Sequence, residues 1–308
     1  MAEGQRVGFV GLGTIGRPMA TNVVKKGFAL TVFDLNQAAM AELIGLGAEG
    51  RATAAEVARA SDVVITMVPD APDVEKAALG PGGIIEGMRP GAIYVDMSTV
   101  DPGTSRRIGA AMRAKGVRMV DAPVARTVDN AWAGTLSIMI GGEPGDIDEV
   151  MPILHTMGDT FTRCGPLGNG HAMKLVNNYI SAGIMALHTE ALTFGVKSGL
   201  KLEDIVTLVM STFAGSRQLG EYLPSKPLRG DFEPGFFTRL SMKDQRLALG
   251  LAREMGVDTP VGRGVFEALE TACAKGYATK DFASVLLVRE AEAGIEVRLA
   301  DAEAQAGR

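Results

Sequence analysis

The chain has 308 residues, 46 % of them hydrophobic, and 31 basic against 36 acidic side chains give a formal net charge of −5. That length carries two domains with cores of their own, and the acidic balance argues against a general nucleic-acid or membrane-surface binder. Two isolated cysteines, Cys164 and Cys273, fit a reducing cytoplasm; with no signal-peptide pattern and no apolar run of membrane length, a soluble cytoplasmic protein is expected.

Taken in chain order, the first half alternates short β-rich runs with helical stretches. "RVGFVGLG" leads into an amphipathic segment ending near Lys26, followed by "ALTVFDLN" and the helical "QAAMAELIGLG". "SDVVITMVPD", "AIYVDMST", "VRMVDAPV" and "TLSIMIGG" follow, and "GEPGDIDEVMPILHTMG" adds one more helix before "FTRCGPLGNG". Buried strands joined by crossover helices predict an α/β Rossmann domain with a doubly wound, mainly parallel sheet over 1–166. From His171 the texture changes to about 30 residues of helical periodicity without proline, long enough for a spine linking two domains. The later segments carry no strand alternation, so an all-α domain is expected over 167–308, with the final "ADAEAQAGR" frayed.

Gly11, Gly13 and Gly16 form "GLGTIG", with Thr14 and Ile15 inside it, directly after the first strand. The first glycine permits a tight turn, the second lets a pyrophosphate approach the backbone, and the third lets helix and strand pack. Asp34 follows Gly16 by 18 residues, at the end of "LTVFD". A carboxylate there accepts from both ribose hydroxyls and repels a 2′-phosphate, so NAD is expected, with Arg17 or Lys26 as a complication. Val68 in "MVPD" and Thr99 in "DMST" lie at strand ends where a cofactor is expected; alternatively Thr99 only caps the next helix.

"GNGHAMKLVNNYIS" places Lys174, Asn177 and Asn178 on one helix face among apolar neighbours. Such a polar island points to catalysis, the alternative being asparagines that bond neighbouring loops. His155, His171 and His188 have no orienting acid near them in sequence and are read as non-catalytic. Lys243 and Asp244 read, on periodicity alone, as an exposed pair at a helix start.

With these motifs together the chain resembles the β-hydroxyacid dehydrogenase family. The resemblance rests on "GFVGLGTIGRPMATNV", "DAPV" at 121–124, "GNGHAMKLVNNY" at 168–179 and "MKD" at 242–244, and it covers essentially the whole chain. It implies a Rossmann domain, a helical domain and a site between them, with Lys174 as catalytic lysine, Asn178 as its partner carboxamide, and Lys243, supported by Asp244, closing over the nicotinamide end. One segment departs from the family. Where D-A-P-V-S-G-G is usual, Ala125, Arg126 and Thr127 follow the valine. This loop, with Asn130, Ala131, Gly134, Thr135 and Leu136 after it, resembles that of the 3-sulfolactaldehyde reductases, although Ala125 stands where they carry glycine. A guanidinium fork and a threonine hydroxyl suit a tetrahedral anion. The alternative is a surface arginine paired with Asp121 or Asp129.

The expected reaction is therefore NADH-dependent reduction of 3-sulfolactaldehyde, with Lys174 giving the proton, Arg126 and Thr127 holding the sulfonate, and Asn177 contacting the tail or hydroxyl. The rival substrates are carboxylates: succinic semialdehyde, tartronate semialdehyde or 3-hydroxyisobutyrate. A rival of another class is a non-catalytic dinucleotide sensor, which has no need of the lysine–asparagine island. The long helix and apolar second domain lead to the expectation of a homodimer or homotetramer, with no nucleic-acid or membrane partner.

Overall fold

The computed structural model describes residues 4–299, and the frayed tail expected at 300–308 lies outside them. The chain divides into two compact units, Met1–Val176 and Asn177–Arg308. Among the described residues no helix is long and apolar enough to cross a membrane.

In the first unit β1 (Arg6–Val10), β2 (Ala29–Phe33), β3 (Glu49–Gly50), β4 (Val63–Thr66), β5 (Ile93–Asp96) and β6 (Arg118–Asp121) form a parallel sheet in the order β3-β2-β1-β4-β5-β6. The strand order reverses between β1 and β4, which opens a crevice at their carboxyl ends. Helices α1 (Gly16–Lys25), α2 (Ala38–Gly45), α3 (Ala54–Arg59), α4 (Ala71–Leu79), α5 (Ile84–Gly87) and α6 (Pro102–Ala114) make the crossovers. Both sheet faces are covered, so successive strand residues enter opposite cores. Val63, Ile65, Ile93 and Val95 face the layer holding Met19 and Val23, while Val64 and Tyr94 face the layer holding Val57, Ile108 and Met112. This explains why the strands read as continuous apolar runs.

"VRMVDAPV" is not one strand. Pro123 has no N–H to give a ladder, and the run breaks into β6 and the short β7 (Val124–Ala125). After α7 (Val128–Ala133), β8 (Leu136–Gly141) pairs antiparallel with both β6 and β7. Helix α8 (Pro144–Leu154) then leads to β9 (Gly158–Gly165), parallel to β8. β9 is a largely exposed edge with no hydrophobic alternation, and its sequence carries no strand signal.

Helix α9 (Asn169–Lys197) spans 29 residues, and the division between the units falls inside it. The second unit contains α10 (Leu202–Met210), α11 (Leu223–Ser225), α12 (Thr238–Glu254), α13 (Pro260–Ala272) and α14 (Val285–Ala293), with short π and 3-10 turns between them. Its core is built from Met185, Leu192, Leu223, Leu269 and Leu286. Among its described residues no strand forms beyond a single bridge between Phe237 and Asp281.

Candidate active site

The three glycines of the first loop are required for three different reasons. Gly11 has φ +96°, and a Cβ there would lie 2.3 Å from the Met67 carbonyl oxygen. A Cβ on Gly16 would lie 2.0 Å from the Gly11 carbonyl oxygen, so helix and turn touch through backbone alone. Gly13 is exposed, and a Cβ on it would meet nothing within 4 Å. Its missing side chain keeps open the space above the loop, where a pyrophosphate fits. No side chain caps the start of α1, and with Arg17 N donating to the Gly13 carbonyl and Pro18 lacking an N–H, what the helix start offers that space is chiefly its positive dipole end. Thr14 is exposed beside Gly13, and Ile15 packs on the core.

Asp34 is fixed by the same loop. Its carboxylate accepts from Leu12 N at 2.6 Å and from Asn36 N at 2.7 Å, leaving each oxygen a free lone pair for a hydroxyl donor. Leu12, Gly13, Thr14, Arg17, Asn36 and Trp132 line a cleft of about 430 Å³. Arg17 already has partners there: Glu42 lies 3.4 Å away and the Trp132 ring centroid 5.5 Å away. The donors and the space suit a dinucleotide.

The strand-end loops are built on buried polar contacts. Val68 N donates to Ser98 Oγ at 3.0 Å, while Ser98 N and Thr66 Oγ1 both donate to Asp96 Oδ1. The helix after Thr99 is capped by Asp101, which accepts from Thr104 N at 2.8 Å, so Thr99 is not that cap.

Lys174 is buried in the second turn of α9. The first turn is held by Asp121, whose two carboxylate oxygens each accept at 2.7 Å, from Gly168 N and His171 N. Burial raises the Asp121 pKa, against the opposing pull of His171 and of those two N–H groups. Gly170 lets the helix start come this close: a Cβ there would lie 2.6 Å from Met139 O and 2.8 Å from Asp121 Oδ2. His171 has no acid near it in the sequence, yet in the fold it is fully buried, 3.8 Å from Asp96 and 3.5 Å from Asp121.

Arg126 has a φ of +88°, the only non-glycine residue on the positive side among the described residues. Its guanidinium donates to the Thr135 carbonyl, to Asp159 Oδ1 at 2.8 Å and to Thr160 Oγ1 at 2.9 Å. Its partner acid is thus Asp159, not Asp121 or Asp129. Thr127 caps α7, its hydroxyl accepting from Asn130 N while Asn130 Oδ1 accepts from Thr127 N. Helix α7 stands against α1, where Asn22 Nδ2 donates to the Ala131 carbonyl at 2.8 Å.

In the second unit, Asn177 Nδ2 donates to Asn178 Oδ1 at 2.9 Å, and Asn178 Nδ2 donates to Asp244 Oδ2 at 2.6 Å. Lys243 Nζ lies 3.0 Å from Asp244 Oδ1, with the two side chains only 11 % and 4 % exposed. An exposed charge pair does not describe them. Asp244 joins the carboxamide and the ammonium through its two oxygens.

Two family models match the chain. The NAD binding domain of 6-phosphogluconate dehydrogenase matches residues 6–165, and the NAD-binding model of NADP-dependent 3-hydroxyisobutyrate dehydrogenase matches 168–288. A 3-sulfolactaldehyde reductase of Escherichia coli is 35 % identical, over 95 % of this chain and 98 % of its own. An NAD-dependent L-serine dehydrogenase of Pseudomonas aeruginosa is 34 % identical, over 91 % and 96 %. Among solved structures, a 3-hydroxyisobutyrate dehydrogenase of Mycobacterium tuberculosis with L-serine superposes with a TM-score of 0.87 at 28 % identity, covering 92 % of this chain and 98 % of that one.

Proposed function

The chain belongs to the 3-hydroxyisobutyrate dehydrogenase-like β-hydroxyacid dehydrogenase family, and from that premise we propose that it reduces 3-sulfolactaldehyde with NADH. Membership makes it an NAD(P)-dependent oxidoreductase acting on a CH–OH group. The finer reading rests on one observation: the segment after "DAPV" carries Arg126 and Thr127 where the family loop is small and uncharged.

Gly11, Gly13, Thr14, Ile15 and Gly16 hold the pyrophosphate, and Asp34 takes the adenosine ribose hydroxyls. The Asp34 carboxylate supports NAD over NADP, since it can accept from the ribose hydroxyls and would repel a 2′-phosphate. Val68 and Thr99 take the nicotinamide end in the first unit, and Lys243, held by Asp244 in the second, keeps the cofactor-binding role that the family resemblance implies. The cofactor supplies a hydride to the aldehyde carbon. Lys174 stabilises the developing alkoxide and protonates it, and Asn178, braced by Asp244, orients the carbonyl. Arg126 and Thr127 hold the sulfonate, and Asn177 contacts the tail or hydroxyl. Ile180, Leu187 and Phe194 leave large apolar side chains exposed along α9, which supports a homo-oligomer that sedimentation would detect.

A second reading, a carboxylate substrate, is favoured by the same loop's backbone. Arg126 adopts a glycine-like φ, and its guanidinium and the Thr127 hydroxyl already have partners. On this reading the anion is held by backbone N–H groups of the loop other than that of Thr127, which already donates to Asn130 Oδ1. Initial rates of NADH oxidation with 3-sulfolactaldehyde and succinic semialdehyde, for wild type and Arg126→Ala, separate the two. A sulfonate preference abolished by the substitution supports the first; no preference, or indifference to the substitution, sinks it.

A further inference from the structure

We propose that His171 is a positioning residue whose imidazole ties the strand-end loop at Ser98 to the helix of Lys174, so that a cofactor seated on that loop orders the lysine. The inference rests on the reading of Val68 and Thr99 as cofactor contacts and of Lys174 as proton donor.

The ring of His171 is fully buried, where an apolar side chain would serve for packing alone. Instead it carries directed bonds to two elements. Nε2 donates to the Ser98 carbonyl at 3.0 Å, since a carbonyl can only accept, and Nδ1 lies 2.7 Å from Ser105 Oγ on α6. Its backbone N–H reaches a third element, the carboxylate of Asp121 at the end of β6. All these partners are buried, so none can exchange its bond for one to water without local opening.

Ser98 is the other end of the tie. Its hydroxyl accepts from Val68 N and its own N–H donates to Asp96, so the carbonyl that meets His171 belongs to a residue locked to both strand-end loops. From His171 the helix rises one turn to Lys174 with no flexible link between them. The start of that helix is also pressed onto the sheet, because Gly170 has room for no side chain. A shift of the Ser98 carbonyl therefore passes to the first turn of α9 as a rigid displacement. Asp96 Oδ2, which faces Nε2 at 3.8 Å and has no hydrogen-bond partner among the described residues, gives the imidazole a neighbouring acceptor when the loop moves.

The test is hydrogen–deuterium exchange of peptides spanning 168–178, with and without saturating NADH, in the full-length wild type, His171→Ala, His171→Gln and His171→Asn. In wild type NADH is expected to slow exchange of this segment by about tenfold, as for a locally ordered element. His171→Ala loses most of that slowing. The glutamine amide can donate from the Nε2 position and restores it, whereas asparagine is too short to reach Ser98 and does not. A merely structural imidazole would show neither the NADH dependence nor the split between glutamine and asparagine. Equal NADH-dependent slowing in wild type and His171→Ala overturns the inference, as does its absence from wild type. If His171→Ala does not fold, His171→Asn, which lacks the reach to Ser98, is read by the same criteria. Lys174→Ala separates this from the catalytic reading: it should lose turnover yet keep the NADH-dependent slowing. Failure of wild type to bind NADH would overturn the cofactor reading instead.

Discussion

Arg126 and Asp159 are joined at 2.8 Å across the edge of the sheet, so the cation that the loop sequence offers to a substrate anion already carries a countercharge. An incoming sulfonate has to compete with that carboxylate, and both side chains are exposed enough for the exchange to be inexpensive. Asp159→Asn should therefore lower KM for an anionic aldehyde by about threefold to tenfold at low salt, with kcat little changed. A KM that does not move would leave the Arg126–Asp159 pair as a structural clasp.

The backbone of Arg126 makes a separate prediction. At φ +88° a Cβ is strained, and only the surrounding bonds hold the residue there. Arg126→Gly and Arg126→Ala both lose the guanidinium contacts, but only glycine relieves the strain. Urea denaturation should find the glycine variant more stable than the alanine variant by about 1 kcal/mol. The reverse order would mean that no strain is stored at this position.

Gly13 and Gly16 should separate binding from folding. Gly16→Ala forces a Cβ against the Gly11 carbonyl and should lower the melting temperature sharply. Gly13→Ala meets no protein atom and should change stability by no more than about 0.5 kcal/mol. Its methyl occupies the space over the loop, so calorimetric titration should show NADH binding weakened by about tenfold or more. Tight binding by Gly13→Ala would remove the pyrophosphate from that space.

Asp121→Asn leaves one acceptor for two buried N–H donors and should cost about 1–3 kcal/mol. Burial raises the Asp121 pKa above the ordinary carboxylate range, so the folded chain binds this proton more tightly than the unfolded chain does. The resulting penalty is present in full at neutral pH and shrinks as pH falls through the raised pKa towards the ordinary one. Parallel melts should then show wild type gaining on Asp121→Asn as the solution is acidified through that window. A constant gap would mean that the raised affinity is absent.

Lys174→Ala should reduce kcat by about 10²–10⁴-fold, the range for loss of a general acid, with NADH affinity within about threefold of wild type. Stopped-flow single turnovers that run at the wild-type rate would take the proton from another donor.

The features that were legible in the sequence are local ones. Gly11, Gly13, Gly16 and Asp34 sit at short spacings that constrain one another, and the doubly wound, mainly parallel character of the sheet followed from alternating strands and crossovers, though not its strand order. Four things were hidden. The break at Pro123 lies inside an apolar run that reads as one strand, and β9 is a polar edge whose pairing only β8 reveals. The partner of Arg126 is 33 residues away across that edge. The partners of His171 lie 50 to 73 residues back along the chain, so nothing near it in sequence points to them. Burial was hidden too: Lys243 and Asp244 have the spacing of a solvated pair and the surroundings of a core one.

The bond from Asn22 to the Ala131 carbonyl, and the stacking of Arg17 on Trp132, fasten the helix behind the glycine loop to the helix behind the arginine loop. On the proposed reading, a graft of residues 125–133 would therefore also disturb the glycine loop. The practical unit of exchange is larger than the loop: Arg17 and Asn22 have to travel with it.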